Sequence, residues 1–150
     1  SENVLKMIMA ANEVIIMVTP EPTAITDAYA LVKTTVTMNK NSNLKLIVNK
    51  AENHYEAQGI INKFTEVAER FLDIQLEPLG YMLNDTSVPK SVKKQKPFIL
   101  EYPKCHATKQ VLSIAHSIVA QHKSVSSKGQ GIKSYIHNLV HLVKTKNAIY

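Results

Sequence analysis

An apolar run, Glu13-Val-Ile-Ile-Met-Val-Thr19, stops at Pro20-Glu21-Pro22-Thr23, and Ala24 to Val36 then take up a helical period. An apolar run without alternation is the pattern of a strand covered on both faces. Pro22 and Thr23 are start signals for the helix that follows. A strand feeding directly into a helix is the first half of a βαβ unit. This single feature therefore commits the chain to an α/β fold with a parallel sheet.

The rest of the chain repeats the theme. A helical face at Val4, Leu5, Ile8 and Met9 precedes the strand at 13–19, and Ile25, Ala28, Val32 and Val36 define a helix over 24–38. A polar turn at 39–43 leads to a second strand at 44–48, ended by Asn49. Ile60, Ile61, Phe64, Val67, Ala68, Phe71 and Leu72 mark a long helix over 54–73. A third strand at 79–83 is ended by Asn84-Asp85-Thr86-Ser87. A lysine-rich segment, Lys90 to Lys96, precedes a helix over 104–121 carrying Val111, Leu112, Ala115, Ile118 and Val119. Residues 1–122 thus read as one α/β unit, 123–131 as a linker and 132–150 as a separate terminal helix. In open parallel sheets, ligands sit beyond the carboxyl ends of the strands. Here those ends are 19–23, 49–53 and 84–87, all polar, and they form the candidate site.

Charge is divided unevenly along the chain. Residues 1–83 carry 7 Lys/Arg against 10 Asp/Glu, whereas 84–150 carry 11 Lys against 2 acids. A basic end on a mildly acidic body suits an anionic partner, whether membrane headgroups, nucleic acid or an acidic protein, and equally suits a solvated lysine-rich surface. Arg70 is the only arginine, which weighs against bidentate phosphate or base recognition. A single cysteine, Cys105, excludes an intrachain disulfide and fits a reducing compartment. No apolar run reaches the roughly 18 residues of a membrane span.

Catalytic constellations are absent. The four glycines are Gly59, Gly80, Gly129 and Gly131, and none forms a phosphate-cradling loop between strand and helix. His137 and His141 are four apart on one helix, without a carboxylate or thiol nearby to complete a metal site. Glu52, Glu56, Glu66 and Glu69 lie opposite an apolar helix face, as solvated carboxylates do. The last helix is more distinctive. At about 100° per residue, Ile132, Tyr135, Ile136, Leu139, Val140, Leu142 and Val143 share one arc, with Lys133, His137, His141 and Lys144 on the other. Such a helix can lie in a membrane interface, dock in a partner's groove, or pack on its own domain.

Three phrases carry a resemblance. They are Glu13-Val-Ile-Ile-Met-Val-Thr-Pro-Glu-Pro-Thr-Ala-Ile-Thr-Asp-Ala-Tyr-Ala-Leu31, Leu44-Lys-Leu-Ile-Val-Asn-Lys-Ala51, and Leu79-Gly-Tyr-Met-Leu-Asn-Asp-Thr-Ser-Val88 with Val92-Lys-Lys-Gln-Lys-Pro-Phe98. In this order they resemble the C-terminal half of MinD/ParA-type deviant Walker ATPases, most of all the flagellar site-determining branch of the FlhG (YlxH, FleN) type. The resemblance covers about residues 1–120. It implies a three-layer α/β/α P-loop NTPase fold of the SIMIBI, MinD-like kind, here about three strands and five to six helices. It places the P-loop and both switch regions N-terminal to the sequence seen here.

For the full-length family protein the resemblance also implies ATP with Mg2+ as cofactor, a homodimer, and a cytoplasmic protein that associates peripherally with the inner face of the plasma membrane, while this chain alone is expected to bind nucleotide weakly or not at all. The partners it implies are an SRP-type GTPase (FlhF) or flagellar assembly proteins. Asn49 matches the asparagine that reads the adenine edge. Leu83, Asn84 and Asp85 match the loop on the other side of the base, although the family usually has proline where Leu83 stands. Pro20 and Glu21 match the segment near the ribose and the dimer interface. The residues also allow ordinary roles: Asn49 as a strand-end turn, Asp85 as a helix cap. Family members often end in an amphipathic membrane-targeting helix, and Ile132, Lys133, Tyr135, Ile136, Leu139, Val140, Val143 and Lys144 occupy that place. Two rival readings are a non-enzymatic membrane- or partner-binding adaptor and a ParA-like DNA-binding ATPase. Near-absent arginine and few aromatics weigh against the second.

Overall fold

A computed structural model describes residues 2–124, with side-chain surroundings for 4–120. The linker and terminal helix expected at 123–131 and 132–150 lie essentially outside the described residues. After α1 (Glu2–Ala10), the elements run β1 (Glu13–Val18), α2 (Pro22–Met38), β2 (Asn43–Ala51), α3 (His54–Leu72) and β3 (Glu77–Leu83). Then come α4 (Ser87–Lys93), α5 (Phe98–Glu101) and α6 (His106–Ser124). The strands are parallel in the order β1-β2-β3, so the described residues form a three-stranded α/β sheet with six helices. The expected fold class is the one observed.

Local sequence explains the helix boundaries. Pro22 stands at the start of α2, where the missing N–H costs nothing. Asn53 caps α3, its Oδ1 accepting from the Glu56 N–H at 2.9 Å, while Glu56 Oε2 accepts from the Glu52 N–H at 2.7 Å. This reciprocal pair resembles a capping box. At the far end Asp73 closes α3 in the left-handed conformation, φ 54°, and its N–H bonds the Glu69 carbonyl. The lysine-rich segment, left without structure by sequence periodicity, is mostly the short helix α4.

One face of the sheet carries the main core. Leu44, Leu46 and Val48 of β2 and Ile16 and Val18 of β1 pack beneath Val32 and Val36 of α2 and Ile61, Phe64 and Ala68 of α3. Each large apolar side chain buried in this way contributes about 1.5–3 kcal/mol. The other face carries a smaller cluster, Ile47, Leu79 and Ile114, with Met82 and Ile118 against it.

Three sequence expectations about burial need correction. Among the described residues, β1 is covered on one face only. Ile15 and Met17 are 45% and 55% exposed, because α6, which covers the second face, packs on β3 rather than on β1. In α6 the buried stripe is Ala107 and Ile114, with Val111 and Ile118 partly covered, while Leu112 and Val119 face outward. In α3, Phe71 projects to solvent beneath the Arg70 guanidinium instead of joining the core.

Two irregularities interrupt the β2–β3 ladder. Leu46 pairs with Pro78 and Ile47 with Gly80, so Leu79 is an extra residue on β3. Further on, Val48 pairs with Tyr81 and Ala51 with Leu83, which leaves an extra residue on β2 around Asn49 and Lys50. Gly80, at φ 140°, and Lys50, at φ 59°, supply the positive backbone angles at these bulges.

Candidate functional site

The carboxyl ends of the three strands lie side by side. Val18, Val48 and Tyr81 are in register, so Thr19-Pro20, Asn49 and Leu83-Asn84 emerge at the same edge of the sheet. The Asn84 N–H donates to the Ala51 carbonyl at 2.8 Å, tying the β3 loop to the end of β2. The sequence-selected residues Pro20, Glu21, Asn49, Leu83, Asn84 and Asp85 are therefore brought together by topology.

Their side chains are engaged very differently. Asn49 sits in the β2 bulge, half-buried, and its amide bonds no other described residue. Lys50 beside it holds a left-handed backbone that a lysine rarely adopts, a form of strain that clusters at ligand sites. Glu21 is the residue before α2, exposed and without a capping hydrogen bond.

Asp85 is fully occupied. Its Oδ1 accepts from the Ser87 N–H at 2.8 Å and its Oδ2 from the Ala107 N–H at 3.1 Å. Those two backbone donors, Ala107 foremost, pull the carboxyl down from 3.8 to about 2. The helix-cap role open to Asp85 in the sequence is realised: its carboxylate fastens the β3 loop to the first turn of α6.

Sequence reasoning missed two groups. The Gln110 side chain accepts the Leu83 N–H at 2.9 Å and so braces the same loop from α6. Nothing in the sequence marks Gln110, which is one polar residue among several on that helix. Lys50 was equally unmarked, since bulges arise from register between strands. Away from the strand ends, a cleft of about 550 Å3 lies between α2 and α3, lined by Ile25, Tyr29, Gly59, Ile60, Phe64 and Val67. No group of three His, Cys, Asp or Glu residues able to hold a metal occurs among the described residues. No helix among them is long and apolar enough to cross a membrane.

Fold and site together define a parallel α/β protein whose candidate ligand surface is the carboxyl edge of its sheet. No protein-family profile matches the chain. It is 30% identical over 148 residues to the antiactivator FleN of Pseudomonas aeruginosa, a match covering 99% of this chain and 52% of FleN. It is 26% identical over 134 residues to the flagellum site-determining protein YlxH of Helicobacter pylori, covering 87% of this chain and 45% of YlxH. The chain is homologous to FleN and YlxH over these spans. It spans about half the length of the curated relatives it matches.

Proposed function

We propose that this chain is the adenine-recognising, dimer- and partner-contacting C-terminal half of a MinD/FlhG-like ATP-binding protein that regulates flagellar number or placement. The observation that carries the reading is Asn49: a half-buried amide, bonded to no other described residue, in a strained bulge at the carboxyl end of the central strand. An amide offers one donor and one acceptor together, which matches N6 and N7 of adenine. The Leu83–Asp85 loop, held by Gln110 and Ala107, would form the other wall of the base pocket. Pro20 and Glu21 would flank the ribose.

The residues present fit the base end of ATP. The sequence holds no glycine-rich loop for its phosphates. When bound, ATP with Mg2+ would supply the hydrolysable phosphate anhydride. This chain's own residues would select and orient the base. Homodimer formation, contact with an SRP-type GTPase (FlhF) and attachment of residues 132–144 to an anionic membrane belong to the same reading. The relatives' names bear on flagellar regulation alone; these three points rest on the sequence resemblance and, for the membrane, on the amphipathic pattern of residues 132–144.

Ligand-observed NMR titration with ATP and GTP tests the base assignment. The chain should prefer ATP, and Asn49→Ala should cut that preference about tenfold, the lower end of what a two-point amide contact provides. Equal binding of the two nucleotides by the unmodified chain would overturn the reading. ATP turnover by the purified chain should be undetectable, and measurable hydrolysis would contradict its assignment as the base-recognising half.

A further inference from the structure

We propose that the surface formed by α4 and α5 is a contact site for an anionic lipid bilayer, separate from the amphipathic tail. This site does not depend on the nucleotide reading above. Residues 87–104 contain five lysines and one glutamate. Glu101, that one acid, is already engaged by the Lys94 ammonium and lies 3.8 Å from Lys96. Lys90 and Lys93 remain exposed on α4 and pair with no described acid. Opposite buried Ser91, the outward centre of this helix holds Pro89 and Lys93, with Val92 on one flank and Lys90 on the other. Val92 is 68% exposed, and Leu100 on neighbouring α5 is 75% exposed.

The chemistry favours lipid over other anionic partners. Protruding aliphatic side chains ringed by lysines can enter the acyl region while the long lysine stems keep their ammonium groups at the headgroups. A specific protein interface needs roughly 800 Å2 on each partner, and this patch is built on two short helices of 7 and 4 residues. The patch has no arginine for bidentate phosphate contacts, and Tyr102 lies under Lys94 rather than open for base stacking. If residues 132–144 supply one membrane signal, their apolar arc holds no Trp or Phe, and stable anchoring generally takes a second. The patch supplies the second.

Flotation of the full chain with phosphatidylcholine vesicles, with and without phosphatidylglycerol, tests this. The unmodified chain should float with the anionic vesicles. The Lys90→Gln/Lys93→Gln variant should lose affinity by about fivefold per lysine, and Val92→Ser/Leu100→Ser should also bind less. All four positions are exposed, so far-UV circular dichroism and thermal midpoint should match the unmodified chain. The ATP-over-GTP preference should be unchanged in these variants, which separates this proposal from the nucleotide reading. Wild-type flotation by the lysine variant would overturn it, as would complete loss on changing Lys133 and Lys144 alone with the patch variants binding normally. Retention by duplex DNA with no flotation would instead assign the patch to nucleic acid.

Discussion

The carboxylate of Asp85, at the end of β3, accepts a hydrogen bond from the backbone N–H of Ala107 at 3.1 Å, closing 22 residues of chain into one corner. The donor is one of the N–H groups that the first turn of α6 cannot satisfy internally. The loop after β3 and the start of α6 are thus joined by a charge-assisted bond. Asp85→Ala should destabilise the chain by about 1–2 kcal/mol, as loss of a cap does. Asp85→Asn, which keeps an acceptor, should cost less. Urea unfolding of the three proteins measures the order.

The same bond sets a pH response. The folded carboxyl lies at about 2, below its ordinary 3.8. A depressed carboxyl stabilises the fold fully above its unfolded value, and that contribution is lost as pH falls from about 4 through about 2. Urea midpoints taken across this window should fall more steeply for the unmodified chain than for Asp85→Asn. Parallel curves would show that another group controls acid unfolding.

Gly80 and Gly59 should respond to alanine in opposite directions. At Gly80, φ is 140° and an added Cβ would lie 3.2 Å from Ile114 Cγ1, so both backbone and packing resist. Gly80→Ala should cost about 1–3 kcal/mol. At Gly59, inside α3, an added Cβ meets nothing within 4 Å. Gly59→Ala should raise stability by about 0.5–1 kcal/mol through helix propensity alone. Thermal midpoints of the two variants give the comparison.

Lys45 is a second test of sign. Its side chain is 3% exposed on the central strand, with Nζ 3.1 Å from Glu13 of β1 and 3.9 Å from Glu77 of β3. Glu13→Gln weakens the pairing of a buried ammonium and should cost about 1–3 kcal/mol. Lys45→Met removes the buried charge and leaves two partly exposed glutamates that water can reach, so it should cost less. A double-mutant cycle in urea should show the Met variant largely relieving the effect of Glu13→Gln.

Much of the fold was legible in the chain because its cues are local. The Thr-Pro-Glu-Pro turn, the helical period over α3 and the short apolar strands placed β1, α2, β2, α3, β3 and α6 near their observed positions. Burial was less legible. Ile15 and Met17 look like core in sequence, yet whether a strand face is covered depends on where a helix about 90 residues further along the chain comes to rest. Phe71 and Leu112 misled for the same reason, since the stripe that is buried depends on the partner surface and not on the helix alone.

By itself, the sequence determined the order of the elements, the parallel sheet and the residues that gather at its carboxyl edge, because hydrophobic period and proline placement act within a few residues. Tertiary structure decided what those gathered residues do. Asn49, at the β2 bulge, keeps its amide unbonded to other described residues, while Asp85 gives its carboxylate to a helix that starts 21 residues later. Register between strands and the reach of a side chain across the fold are long-range quantities, and no local pattern encodes them.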